Sequence, residues 1–357
     1  MLLVVLLGLA CGVSFGFVLQ RGRFCWVSAY RDVFVMRDTR LFVGTMIAIA
    51  VQSMGVYTLS SFGIIRIPPL PFTWLGAIVG GFVFGCGMIL AGGCASGSWY
   101  RMGEGLLGSW ISLFGFMVSA AAVKFGVLQP VYQWITTPKG NHPFLYQSLG
   151  VSPWVLVGLF TLLTLIAVRS HLRRPQVRVP SLPPRKQGIA HVLFEKRWHP
   201  FVTGAIVGGI AILAWPLSEV TGRIGGLGIT TPSAHLLGFL VTGNTKMLDW
   251  GVFLVLGIAI GSFIAAKASG EFRWRIPPAK TALTNLGGGL LMGFGAALAG
   301  GCNIGNGLVN TSLFTWQGWV ATPAIILGCW FVAYWQVIRP MRTSAALPIR
   351  VAAGEST

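Results

Sequence analysis

Charge is what this sequence has least of. Only 10% of its 357 residues are charged, against roughly 25% in a typical soluble domain, too few to coat a soluble body of this size. Eight Asp and Glu stand beside 26 Lys and Arg, with five His. No carboxylate stands out as a proton relay or a sodium ligand, and acidic residues this sparse argue against a metal carrier. No Cys-x-x-Cys and no Cys/His cluster occurs, so the spacing of a zinc site is missing. A catalytic thiol needs an activating base close in space, and none is evident. These shortages exclude a soluble enzyme, and a hydrophobic share of 54% excludes a disordered chain.

What the chain does have is long apolar runs. A spanning helix needs about 20 mostly apolar residues, and nine segments qualify: 2–19, 41–62, 73–91, 105–127, 152–168, 200–217, 250–268, 282–299 and 317–336. The first has no basic region ahead of its apolar run, so it reads as a membrane helix rather than a cleaved leader. The expected fold class is therefore an all-α integral membrane protein. Between these helices lie four pieces rich in Gly, Cys, Asn and Thr: 20–40, 92–104, 218–249 and 300–316. Each is expected to hold a short re-entrant half-helix, because irregular backbone at membrane depth survives only where protein or a cavity surrounds it.

The net charge of +18 follows the positive-inside rule rather than a nucleic-acid surface. With the N-terminus outside, every basic residue except Arg66, Lys124, Lys139, Arg223 and Lys246 falls on the inner side. The N-terminus is thus expected in the periplasm and the C-terminus in the cytoplasm. Membrane lipid is an expected partner and nucleic acid is not.

The chain repeats itself. Gly81-Phe-Val-Phe-Gly85-Cys-Gly87-Met-Ile-Leu-Ala91-Gly92-Gly93-Cys94 lies over Gly289-Leu-Leu-Met-Gly293-Phe-Gly295-Ala-Ala-Leu-Ala299-Gly300-Gly301-Cys302 at an offset of 208 residues. A weaker echo links Gly22-Arg23 with Gly222-Arg223. The organisation expected is a first repeat over 1–127, a connecting helix and basic cytoplasmic linker over 128–199, a second repeat over 200–340 and a cytoplasmic tail over 341–357. Pro175, Pro180, Pro183 and Pro184 suit an extended, solvated connection in that linker. Five spans precede the second half, an odd number, so it enters the bilayer inverted. Inverted repeats of transporters build their substrate site where broken elements of the two halves meet. Cys94 and Cys302 are then expected at mirrored depths about one pseudo-twofold axis.

The six cysteines fall into two sets. Cys11, Cys86 and Cys329 lie inside apolar helices, where cysteine packs as a small hydrophobe. Cys25, Cys94 and Cys302 sit in the irregular pieces beside Arg or Gly-Gly pairs. Gly93 and Gly301 let a ligand approach the backbone closely, and a half-helix starting after each Cys offers free N–H groups to an anion. The rival reading of these motifs is close helix packing through small residues. A neutral thiol donates a weak hydrogen bond, so the site suits a small, soft, sulfur-bearing anion, with Asn303 and Asn306 as candidates to hold its oxygens. A membrane-embedded sulfurtransferase that keeps a persulfide, and a soft-metal transporter, are the alternatives. Nothing in the pattern asks for a cofactor.

The stretches LAGGCASGSWYRMGEG and LAGGCNIGNG, together with RGRFC near the N-terminus, resemble the YeeE/YedE sulfur-transport family of bacterial inner-membrane proteins across nearly the whole chain. The resemblance implies nine spanning helices in two pseudo-symmetric halves, with re-entrant loops meeting in the middle. It implies thiosulfate uptake, in which thiosulfate passes along essential cysteines through S–H···S hydrogen bonds; by motif these are Cys25, Cys94 and Cys302. It also implies a TusA-like sulfur-carrier partner on the cytoplasmic side, here expected to be a separate protein. Links of some relatives to selenium leave another sulfur or selenium compound open as substrate. At Gly228-Ile-Thr-Thr-Pro232-Ser this chain has no cysteine, and Thr230, Thr231 and Ser233 offer hydroxyls instead.

Overall fold

Every regular element formed by residues 1–69, 71–136, 143–173, 187–196 and 198–341, which a computed structural model of the protein describes, is a helix. The first half runs α1 (Leu2–Gly22), α2 (Trp26–Val35), α3 (Arg40–Ser61), α4 (Gly81–Leu90), α5 (Ala95–Gly103) and α6 (Leu107–Lys124). Short helices α7 (Gln129–Ile135) and α8 (Leu145–Leu149) lead to α9 (Pro153–Leu172) and α10 (Ile189–Phe194). The second half holds α11 (Pro200–Glu219), α12 (Thr230–Thr242), α13 (Trp250–Ala268), α14 (Ala279–Leu298), a π-helical segment (Gly305–Asn310) and α15 (Trp316–Ala333).

Among the described residues nine stretches are long and apolar enough to cross a membrane, and they fall on the nine expected segments. Leu2–Val35 and Gly76–Gly103 run longer than expected because a short helix follows the spanning one, and Trp316–Met341 because a π-helical turn continues α15. This is a multi-pass membrane protein. Its outermost span, α9, buries only Val157 and Thr164 and leaves Leu159, Leu162, Leu163, Leu165 and Ile166 exposed. An apolar face of that size requires a hydrocarbon solvent.

Helix packing comes in matched sets. α1 lies against α13 as α3 lies against α11, α4 lies against α15 as α6 lies against α14, and α4 meets α14 just as α1 meets α11. The repeated glycines sit at these contacts. A Cβ at Gly85 would fall on the Ile325 carbonyl oxygen, and one at Gly293 on the equivalent Phe116 carbonyl oxygen. Gly87 abuts Met292 where Gly295 abuts Phe84. Without a hydrophobic driving force between helices in lipid, such small residues allow the backbones to approach and gain dispersion contact.

All four irregular pieces hold a short helical element: α2, α5, α12 and the π-helical segment. The linker differs from its expectation at its end. α9 continues to Leu172, and α10 packs back on the bundle, with Phe194 and Trp198 against Phe17 at ring-centroid distances of 6.0 and 6.3 Å. The Arg21 Nε–H donates to the Leu193 carbonyl at 2.8 Å. Partly buried aromatic contact and the satisfied Arg21 guanidinium hold α10 there. The linker prolines, Lys139 and the tail beyond 341 lie outside the described residues.

Candidate functional site

Each of the three singled-out cysteines stands at the start of a short element. Cys25 occupies the N-cap of α2 in extended backbone, and Cys94 the N-cap of α5. The helix before Cys94 stops at Gly92, which adopts the left-handed conformation at φ 69°, while the Gly93 N–H closes back on the Met88 carbonyl at 3.1 Å. Gly300 does the same before Cys302, at φ 71°. These are glycine-terminated helix ends, and they turn the chain inward toward each cysteine.

Burial is nearly complete: Cys25 is 2% exposed, and Cys94 and Cys302 are sealed. The Cys25 and Cys94 sulfurs are 3.9 Å apart, within reach of an S–H···S hydrogen bond. The Cys94 thiol also accepts the Gly97 N–H at 3.2 Å. Gly97 has to be small, since a Cβ there would lie 3.1 and 3.2 Å from the two sulfurs. Cys302 stands apart from that pair; its neighbours are the Gly305 and Ile304 N–H groups and the Thr230 hydroxyl. The expected trio is thus a close pair and a single thiol.

Near them is a residue that the cysteine pattern does not point to. The Tyr30 hydroxyl on α2 lies within electrostatic range of the Cys94, Cys302 and Cys329 thiols. It is buried without a hydrogen-bond partner, and so are the Trp26 indole Nε1 and both amide atoms of Asn303. Buried polar groups are ordinarily satisfied, and these have hydrogen-bonding capacity unused within the protein. The only sequence signal was an aromatic directly following Cys25, which reads as ordinary packing.

The remaining polar candidates are engaged. Asn306 donates both amide hydrogens at 2.8 Å, to the Ala299 and Gly301 carbonyls, and its Oδ1 accepts from Asn310. It holds the turn around Gly301 and Cys302. Ser233 accepts the Trp99 indole N–H at 3.0 Å, joining α5 to α12, and Thr231 accepts from Lys124.

A polar cavity of about 460 Å³ is lined by Arg21, Arg23, Ser28, Tyr100, Arg101 and Glu271, among others. From its wall Arg101 lies within electrostatic reach of Cys25 and Cys94 and donates to the Gly92 carbonyl. Arg23 bridges Glu104 at 2.8 Å and Glu271 at 2.7 Å. Burial raises the Glu104 carboxyl above its usual range, against the opposing pull of Arg23. Among the described residues no group of three or more His, Cys, Asp and Glu side chains comes together.

Comparison with known proteins places this arrangement in context. The chain is 51% identical over 339 residues to the thiosulfate transporter TsuA of Escherichia coli strain K12, covering 95% of this chain and 96% of that one. It is 35% identical over 346 residues to the thiosulfate transporter TsuA of Spirochaeta thermophila, covering 92% and 97%. A shorter match, 32% over 121 residues, covers 33% of this chain and 30% of the probable transporter YedE of Escherichia coli strain K12. The profile of the family described as Sulphur transport matches residues 21–331. The chain therefore belongs to the Sulphur transport family, the YeeE/YedE family that its paired Gly-Gly-Cys motifs resemble.

Proposed function

We propose that this protein takes up thiosulfate across a bacterial inner membrane, handing it between Cys302 and the Cys94–Cys25 pair through S–H···S hydrogen bonds. The observation that carries this reading is the Cys25–Cys94 contact of 3.9 Å between two buried thiols, in a chain similar over nearly its whole length to two thiosulfate transporters. Neutral thiols donate weakly, so they hold an anion without trapping it. Gly93 and Gly301 spare the backbone beside the thiols the side chains that would crowd it, Asn303 offers its amide to the oxygens, and Asn306 shapes the turn that presents Cys302.

The matched packing of 1–127 and 200–340 supports two repeats of opposite orientation, with the short helices as re-entrant elements. In that arrangement the N-terminus is periplasmic and the C-terminus cytoplasmic, Cys302 is approached from the periplasm, and the arginine-lined cavity faces the cytoplasm. A separate TusA-like sulfur carrier would meet the protein on that side.

The test is flux of radiolabelled thiosulfate into vesicles containing only this protein. Alanine at Cys25, Cys94 or Cys302 removes the thiol donor and is expected to lower uptake by roughly tenfold or more, the scale of a lost hydrogen bond to a charged ligand. Undiminished flux with all three replaced would defeat the relay. A stable extra sulfur on Cys94 or Cys302 by mass spectrometry would point to a sulfurtransferase instead.

A further inference from the structure

The Tyr30 hydroxyl and the Trp26 indole N–H, both without a partner, meet beside the stem of Asn303, whose amide also has none. A Cβ built on Gly307, in the π-helical segment, would lie 2.8 Å from the Tyr30 hydroxyl and 3.8 Å from both the Trp26 Nε1 and the Asn303 Cβ. Trp26 and Asn303 are fully buried and Tyr30 is 2% exposed, and none of the three polar groups makes a hydrogen bond. Trp26 and Tyr30 come from α2, Asn303 and Gly307 from the second half, so the cluster bridges the two halves.

We propose that the Trp26 indole N–H, the Tyr30 hydroxyl and the Asn303 amide form an oxyanion cradle around Gly307, which takes the three-oxygen end of thiosulfate while its terminal sulfur passes between thiols. The proposal rests on the thiosulfate reading above and adds what that reading lacks, a set of donors for the oxygens. An indole N–H only donates, and a phenol and a carboxamide also have hydrogens to give. Left unfilled in a low-dielectric interior, such groups are destabilising; an anion with several acceptor oxygens satisfies all three together.

Position agrees with chemistry. The Tyr30 hydroxyl is in electrostatic range of both Cys94 and Cys302, so it lies near both ends of the proposed path. The donors are uncharged, so the oxyanion is held without an ion pair that would trap it. Gly307 is the floor of the cradle, since any side chain there would displace the Tyr30 hydroxyl. A mainly apolar cavity of about 160 Å³ also borders Tyr30 and Gly307.

Thiosulfate uptake by vesicles holding the full-length protein tests the cradle, with W26F, Y30F and G307A compared by KM and maximal rate. Y30F removes only the hydroxyl, while W26F removes the indole N–H and also leaves a smaller ring at a fully buried position. The expected result is a KM for thiosulfate raised roughly tenfold or more in each, with a smaller change in maximal rate per folded protein. G307A is expected to raise KM while keeping all three donors. A merely structural role would lower the amount of folded protein and leave KM alone. If Y30F does not fold, W26F carries the same test. Parent KM values in W26F and Y30F, with wild-type flux intact, overturn the cradle alone. Absence of thiosulfate flux in the wild type overturns the underlying reading and the cradle with it.

Discussion

At the scale of single residues, the two Gly-Gly-Cys motifs divide their labour. Gly92 and Gly300 take left-handed backbone, at φ 69° and 71°, which costs an ordinary L residue about 1–2 kcal/mol. Gly93 and Gly301 carry no such φ; a Cβ at Gly93 would meet Arg101 and Ser98 at 3.4 and 3.5 Å, a tight but negotiable fit. G92A and G300A are therefore expected to destabilise the protein by about 1–2 kcal/mol each, and G93A by less, as read from thermal unfolding in detergent. Equal losses at Gly92 and Gly93 would contradict this division. That a glycine pair precedes each cysteine is plain in the sequence; which glycine turns the chain depends on where the preceding helix ends. The same limit applied to Trp26 and Tyr30. An aromatic after a cysteine reads as core until its polar atom is found without a partner.

At the scale of elements, the glycine-bearing faces of α4 and α14 decide how closely the bundle closes. Alanine at Gly85 or Gly293 drives a methyl into a carbonyl of the facing helix, so the helices have to separate. A loss of about 1–3 kcal/mol is expected for each, seen as a lowered unfolding temperature and less monodisperse protein on size exclusion. Alanine at Gly158 on α9, where nothing lies within 4 Å, is expected to be neutral or slightly stabilising, because it removes backbone freedom from the unfolded chain. The long helices were legible from apolar length alone. The short ones were foreseen only as half-helices somewhere in four irregular pieces. Their bounds follow from caps and glycine stops that composition does not locate. The fold of α10 onto Phe17 was not legible at all, since a basic, proline-rich linker carries no mark of the aromatic contact that ends it.

At the scale of the whole molecule, the proposed orientation has a direct check. Reporter fusions that are active only in the periplasm or only in the cytoplasm are expected to place the N-terminus outside and the C-terminus inside. Both ends on one face would remove the odd number of spans on which opposed halves depend. The sequence by itself determined the membrane class, the nine spans, the family and the repeated glycine motifs, because apolar length, charge distribution and local spacing are one-dimensional properties. Tertiary structure alone decided which thiols are neighbours. Cys25 and Cys94 are far apart in sequence but 3.9 Å apart in space, whereas Cys302, the repeat partner of Cys94, stands on its own. It also decided that Tyr30 and Trp26 meet Asn303 at Gly307. Contacts between distant segments depend on how helices pack across the two halves, and no local pattern encodes that distance.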